Sequence, residues 1–305
     1  MIRNRFTSYL LSTSLFLAGA VLISAPASGQ ALRENAVAAR SAAAPTVTLP
    51  MREGSLRMAV FGDAGRGSKE QYDLGTLMAE YQQTFPFETV LLTGDNIYGK
   101  DAPEDMKNKF ELPYKALLDR GVKFYASLGN HDTSNQRFYA PFNMKGEEYY
   151  RLELKGVSIY ALNSNYFDKK QLDWMNEQLE KDPNKWRVMF FHHPPYSSGG
   201  RHGSDEDVRV VLHPIFVRHG VDIVFTGHDH FYERVKPQDG ITYFVAGAAG
   251  KIRKGDLKDR SPITAKGFDS DLSFMLVEFT EDEMHFQVIS KAGATVDSGV
   301  IKRRD

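Results

Sequence analysis

The chain has 305 residues, 42% of them hydrophobic and 25% charged, with a formal charge of -1 at neutral pH. A charge so close to balance leaves no electrostatic footprint for nucleic acid, and the length is ample for one large buried core. The absence of cysteine excludes a disulfide framework and a thiolate metal site, so any metal here is held by nitrogen and oxygen ligands.

The first thirty residues stand apart from the rest. Arg3 and Arg5 precede an apolar stretch over 10–24, followed by the small residues Ala25-Pro26-Ala27-Ser28-Gly29. This is the layout of an export signal with a cleavage site, and the stretch is shorter than the ~20 residues a membrane-spanning helix needs. Residues 1–30 are therefore read as a signal peptide that sends the chain to the periplasm or the medium and leaves no stable membrane span. Cleavage would remove two positive charges and take the formal charge from -1 to about -3. Residues 31–54, with Ala42, Pro45, Pro50 and Gly54, hold no sustained period and read as a flexible linker.

From residue 56 strands and helices alternate. A short apolar strand over 56–61 ends at Gly62-Asp63, and Tyr72, Leu74, Leu77, Met78 and Tyr81 then recur at helical spacing over 68–81. The run Thr89-Val90-Leu91-Leu92 is a second strand, delivering Asp95 to a loop with Tyr98 three residues on. A helix over 103–120 leads to a strand at 123–128 and to Gly129-Asn130-His131-Asp132. Residues 149–154 and 157–162 alternate around Lys155-Gly156 as a hairpin. A helix at 170–179 returns the chain to a strand at 186–191, which ends at His192-His193-Pro194. Another helix, 205–219, stops at Gly220, and a strand at 221–225 runs into Gly227-His228-Asp229-His230. Strands at 241–246, 273–279, 284–290 and 295–301 follow, with turns at Glu281-Asp282 and Ala292-Gly293. The pattern predicts an α/β domain of two packed sheets with helices outside.

Five of these strands present metal-competent side chains just beyond their C-terminal ends, where open α/β sheets build their sites. The residues are Asp63, Asp95, Tyr98, Asn130, His131, His192, His228 and His230. Two carboxylates, a phenol, an amide and several imidazoles can hold two metal ions with one carboxylate bridging. Such ions sit ~3.5–4 Å apart and clamp the attacking and leaving oxygens of an in-line displacement at phosphorus. Singly, each residue has a plainer explanation: Gly-Asp as turn chemistry, Asn130 as a cap, Tyr98 as packing. Five coincident strand ends are what point to a site. An extended His228-x-His230 segment would put both rings on one side, where they could serve neighbouring ions. Gly62 to Lys69 approaches a phosphate-cradling loop, but its last Ser and Lys are reversed and Asp63 would repel a triphosphate. His213, His219 and His285 lie outside the strand-end pattern.

Taken in order, the blocks Gly62-Asp63, Gly94-Asp95-Asn96-Ile97-Tyr98, Gly129-Asn130-His131-Asp132, His192-His193-Pro194 and Gly227-His228-Asp229-His230 resemble those of the calcineurin-like metallophosphoesterases. The Gly-Asp-x-x-Tyr form is similar to the purple acid phosphatases, especially the small tartrate-resistant type. The resemblance implies a four-layer αββα sandwich of two mixed β-sheets flanked by helices, with 55–305 as the catalytic domain. It also implies that Asp63, Asp95, Tyr98 and His230 hold a ferric ion, and that Asp95, Asn130, His192 and His228 hold a divalent iron, zinc or manganese. Asp95 would then be the bridge. An unperturbed tyrosine has a pKa of about 10, and only a strongly charged ion keeps its phenolate at acid or neutral pH.

The implied reaction is hydrolysis of a small-molecule phosphomonoester by in-line attack of a metal-bound hydroxide. His131, partnered by Asp132, and His202 are the expected proton donors, while Arg201 and His193 are expected to contact substrate. The chain departs from small animal-type members in lacking their disulfide, and Lys251, Arg253, Lys254, Lys258 and Arg260 match no motif. A phosphodiesterase or nucleotide-processing enzyme with two divalent ions is the alternative within this chemistry. A non-catalytic cell-envelope binding protein is the alternative outside it.

Overall fold

The computed structural model describes residues 45–258 and 261–304, so the expected signal peptide and residues 31–44 of the expected linker lie outside the described residues. The chain opens with β1 (Leu56–Phe61), α1 (Lys69–Thr84), β2 (Thr89–Leu92) and β3 (Lys123–Ala126), and the three strands pair in parallel. Two short helices, α2 (Pro103–Met106) and α3 (Lys115–Asp119), lie between β2 and β3. A second sheet takes β4 (Tyr150–Leu154), β5 (Val157–Ala161), β6 (Trp186–Phe190), β7 (Ile223–Thr226), β8 (Tyr232–Val235), β9 (Thr242–Ala246) and β10 (Thr264–Phe268). Helices α4 (Lys169–Glu180) and α5 (Glu206–Arg218) connect its parallel strands. The chain then returns to the first sheet with β11 (Ser273–Phe279), β12 (Glu283–Ser290) and β13 (Thr295–Lys302). The sheet orders are β13-β12-β11-β1-β2-β3 and β10-β8-β9-β7-β6-β5-β4.

The layering follows from strands that are apolar on both faces. Along β1, Ala59 and Phe61 join the cluster under α1 with Leu74, Leu77 and Met78. Met58 and Val60 face the other way, into the core between the sheets, against Phe190, Ile223 and Phe225. On the far side Tyr160, Met189 and Val224 meet Met175 and Leu179 of α4 and Leu212 and Phe216 of α5. Helix, sheet, sheet, helix is the result, as expected. The long helices start on side-chain caps: Asp168 accepts from Gln171 N at 2.8 Å and Asp205 from Val208 N at 2.9 Å.

Three expectations are corrected. The helix predicted over 103–120 is broken, because α2 passes into a π turn at Lys107–Glu111 in which Leu112 N donates to Lys107 O at 2.9 Å. Pro113 follows and brings no N–H, so regular helix restarts only at α3. Strands β8 and β10 were not anticipated. Glu233 and Arg234 interrupt the apolar pattern of β8, and β10 is a short edge strand containing Gly267. Residues 45–54, the described part of the expected linker, are fastened to the domain: Thr48 N donates to Gln287 Oε1 at 2.9 Å. Met51 and Arg52 donate to the buried Glu278 carboxylate at 2.7 and 2.6 Å, and Leu49 is buried.

Phe244 is the clearest load point between the sheets, stacked on Phe225 at 5.5 Å and edge-on to Phe286 at 5.2 Å. Phe244→Ala should lower the unfolding free energy by about 3–5 kcal/mol, since a cavity joins the lost burial. Chemical denaturation at fixed metal loading checks it, because ligands of the native state shift apparent stability.

Candidate metal centre

The loops after β1, β2, β3, β6 and β7 meet at one edge, laced by backbone bonds. Asp63 N donates to Gly94 O at 3.0 Å and Gly227 N to His192 O at 3.0 Å. Three of the side chains they carry sit on strained backbone: Asp63 (φ 57°), Asp95 (φ 50°) and His228 (φ 69°) occupy the left-handed region that non-glycine residues seldom take. The packing is tight enough to require glycine beside them. A Cβ on Gly129 would lie 2.2 Å from Asp95 Oδ1.

Two groups of donors result. Asp63, Asp95 and His230 bring ligand atoms within 4.8 Å of one another, all three residues being buried. The Tyr98 hydroxyl closes this group, 3.2 Å from Asp63 Oδ1 and 3.2 Å from His230 Nε2. The second group is His192, His193 and His228. Asn130 Oδ1 lies 3.0 Å from His192 Nε2 and 3.0 Å from His228 Nδ1, and those two nitrogens are 3.2 Å apart. Asp95 stands between the groups, its Oδ1 3.4 Å from His192 Nε2.

The electrostatics suit bound cations. Burial, then the Asp95 carboxylate, pushes Asp63 well above the usual carboxylate range. Burial and the neighbouring imidazoles, His192 foremost, pull His228 down to about 2. Burial, then Arg253 and Lys251, pull His230 down to about 3, and burial lowers His192 as well. These imidazoles are neutral and keep a lone pair. For His192 the lone pair is on Nε2, because Nδ1 donates to Thr93 O at 2.9 Å and a carbonyl can only accept. Two carboxylates held this close repel one another unless positive charge lies between them. Burial also raises the Tyr98 phenol, so only a strongly charged ion would hold it as phenolate. The donor set, all nitrogen and oxygen, fits two metal ions.

The expected pairing of His131 with Asp132 is not formed. Asp132 Oδ2 accepts from Gly129 N at 2.8 Å and from Asn96 N and Nδ2 at 3.0 Å, while Oδ1 accepts from Ile97 N at 3.0 Å and Gln136 Nε2 at 2.9 Å. Its carboxylate therefore ties the Asp95–Tyr98 loop to the Asn130 loop, with burial pushing its pKa up to about 7. His131 instead donates its backbone N–H to Asp95 Oδ1 at 3.0 Å and sets its ring 5.0 Å from that of Tyr98. The His228–His230 segment is not extended, and its two rings serve different groups. His193 lies in the second group, its Nδ1 2.9 Å from Ser164 Oγ. The ring of His202 sits 4.2 Å from that of His228, and Arg201 beside it is exposed. His213, His219 and His285 bond elsewhere, to Tyr243 and Asp239, to Asn176 and to Glu283.

Sequence reasoning missed Asp229 and Ser164. Asp229 Oδ2 accepts from Ser197 Oγ at 2.5 Å and Gly203 N at 3.2 Å, which pins the loop carrying Arg201 and His202. Ser164 Oγ accepts from the backbone of His192 at 3.2 Å and of His193 at 3.0 Å. The signal for Asp229 was its position, an acidic residue between two ligand-competent histidines. Ser164 carried none. Asp132→Ala should cost about 1–3 kcal/mol or more of stability, since several buried donors lose their acceptor. It should also weaken metal retention on dialysis, read by metal analysis with a melting curve. A role confined to His131 would instead leave retention intact and move only the pH profile.

The chain is similar to purple acid phosphatase 17 of Arabidopsis thaliana, 24% identical over 271 residues that cover 76% of this chain and 80% of the relative. It is similar to tartrate-resistant acid phosphatase type 5 of rabbit (Oryctolagus cuniculus), 23% identical, covering 82% and 93%. In three dimensions it matches a purple acid phosphatase from yellow lupin (Lupinus luteus) seeds, with a TM-score of 0.71 at 16% identity over 84% of this chain. The chain spans only 55% of that structure's length, and this likeness speaks for the fold. The family model for calcineurin-like phosphoesterases matches residues 56–232, more than half the chain and all five strand-end blocks. The protein therefore belongs to the calcineurin-like phosphoesterase family, as a metal-dependent phosphatase of the purple acid phosphatase kind.

Proposed function

We propose that the chain hydrolyses phosphomonoesters with a ferric ion held by Asp63, Asp95, Tyr98 and His230 and a divalent iron, zinc or manganese held by Asp95, Asn130, His192 and His228. The observation that carries this reading is Asp95, buried between a carboxylate–phenol–imidazole group and an amide–imidazole group. When bound, two such ions supply Lewis acidity and a water of lowered pKa for attack on phosphorus.

The chain's own residues do the rest. Thr93 O holds His192 with Nε2 turned inward. His131 and His202 stand beside Tyr98 and His228 as donors for the departing oxygen, and each sits on a loop that a carboxylate fixes, Asp132 for one and Asp229 for the other. Arg201 offers a planar fork to phosphate oxygens, and His193 lines the pocket next to His192. Export to the periplasm or medium is part of the proposal and rests on Arg3, Arg5 and the apolar stretch that follows. Among the described residues no helix is long and apolar enough to cross a membrane.

Purified, metal-loaded protein should turn over phenyl phosphate faster than bis(p-nitrophenyl) phosphate; a reversed preference would make it a phosphodiesterase. Tyr98→Phe should abolish the visible tyrosinate-to-iron band, and a colourless wild type with two divalent ions would refute the ferric assignment. His202→Ala should lower kcat by about 10²-fold or more on alkyl phosphates, whose leaving group needs a proton, and less on p-nitrophenyl phosphate. Equal losses on both would remove His202 from that role. N-terminal sequencing of exported protein should begin near residue 31, roughly where the small-residue site ends.

A further inference from the structure

The basic segment after Gly250, which matches no motif, is built into the site. A Cβ on Gly250 would lie 2.4 Å from Ala64 O and 2.5 Å from Asp63 O, so the chain there lies flat on the Asp63 loop. Ala249 N donates to Gly62 O at 3.2 Å and Arg253 N to His230 O at 3.0 Å. On the other side Gly200 N donates to Asp256 O at 2.7 Å and Lys258 N to Ser198 O at 3.0 Å, joining the segment to the loop of Arg201 and His202. Two donor loops and the proton-donor loop are thus tied to one short stretch.

This arrangement gathers cations from three loops. The Arg66 guanidinium lies 4.8 Å above the Tyr98 ring, one aromatic ring away from Asp63 and His230. Arg253 is half-buried beside His230, and its Nη1 is buried without a hydrogen-bond partner. Lys251 and Arg201 are exposed. Partial desolvation and then the charges of Arg66, Arg253 and Arg201 hold the Lys251 ammonium below its ordinary range, which puts all four within electrostatic reach. Asp256 and Asp229 are carboxylates beside this group, and each has one buried oxygen without a hydrogen-bond partner. Four positive charges from three loops outnumber the Asp229 and Asp256 carboxylates beside them, next to a centre whose own carboxylates would face metal ions, and the patch they make suits an anion. A phosphomonoester spends its charge on the metals and leaves the cluster unmatched.

We propose that Arg66, Arg201, Lys251 and Arg253 form a subsite for a second phosphoryl group, so that the favoured substrate is a diphosphate such as a nucleoside diphosphate. The terminal phosphoryl group occupies the metal centre and the penultimate one lies against the cations, where arginine forks match its oxygens. Water supplies oxygen to the terminal phosphorus, the bridging P–O bond breaks, its electron pair stays on the departing phosphate, and the proton goes to solvent. The turnover part rests on the phosphatase reading above, whereas the binding part does not.

The test is calorimetric titration of the metal-loaded protein with the 5′-methylenephosphonate analogue of AMP and with α,β-methylene-ADP, neither of which can be hydrolysed at the carbon that replaces the bridging oxygen. The wild type should bind the diphosphate analogue about 10-fold tighter than the AMP analogue or better, as one to two charge-assisted contacts predict. Lys251→Gln should erode that ratio, and Lys251→Gln with Arg253→Gln should bring it to within about twofold on the same arithmetic. Lys254→Gln, an exposed change in the same segment, should leave it alone. Lys251 is exposed, so its single variant keeps the test valid should the double variant fold poorly. Equal affinities in the wild type, or a ratio that survives loss of Lys251, would overturn the subsite. Phenyl phosphate turnover without diphosphate preference sinks this inference alone; diphosphate preference without any turnover sinks the phosphatase reading and leaves the subsite standing.

Discussion

Asp95 is a buried carboxylate on a backbone conformation that resists it, and the rest of the molecule exists to keep it there. Its φ of 50° is one of three such strained values at the centre, each worth of order 1–3 kcal/mol. The strain persists because surrounding bonds over-determine the loop. His131 N donates to its Oδ1 at 3.0 Å, Asp132 grips the next two residues, and Gly129 leaves room where any Cβ would collide. Behind it β2 is buried along its whole length between β1 and β3. A rigid strand end and a clamped loop fix one carboxylate between two donor groups, and the spacing of the centre follows from that.

How far this could be read from the sequence depends on which physical feature encodes each part. Strands β1, β2, β6 and β7 are legible because burial on both faces demands unbroken apolar runs, and a polar residue straight after such a run can only lie at the sheet edge. Position along the chain therefore placed Asp63, Asp95, Asn130, His192 and His228 together. Direction was not legible. Spacing cannot say that His228 takes a left-handed conformation, so the two histidines of His228-Asp229-His230 turn to different groups. Nor can adjacency say that Asp132 turns away from His131 to five donors of two loops. Strand β8 was hidden for a related reason. Its Glu233 looks like an exposed polar residue but is buried, accepting from Ser198 N at 2.8 Å and Thr264 Oγ1 at 2.5 Å.

Glu233 and Asp229 also show how the site divides its charges. Both are acids that spend themselves on the loop of residues 197–203 and not on the donor groups. That loop carries Arg201 and His202, so negative charge buried below the site holds positive charge and a titratable ring above it. The same logic recurs at Glu278, whose buried carboxylate receives Met51 N, Arg52 N and Ser55 Oγ and anchors the entry to β1. In each case a buried carboxylate accepts from backbone or hydroxyl donors, which lessens the cost of holding such a group in a core.

Asp63 and Asp95 differ in their surroundings, because metal-competent side chains crowd them, and that is why they mark the centre. Asp63 takes His228 N at 2.9 Å and the Tyr98 hydroxyl at 3.2 Å, yet burial and the Asp95 charge still drive it toward neutrality. The imidazoles around it are driven to their uncharged form by the same burial. Left to itself the cluster would be a local weakness, with Asp63 driven toward its neutral form and the imidazoles refusing charge. Metal ions reverse the balance, because they need anionic oxygen and neutral nitrogen at close range and repay the desolvation that both suffer. Bound ions would couple folding to metal capture: the two-sheet core fixes an arrangement that is unfavourable on its own, and metal binding would offset that cost.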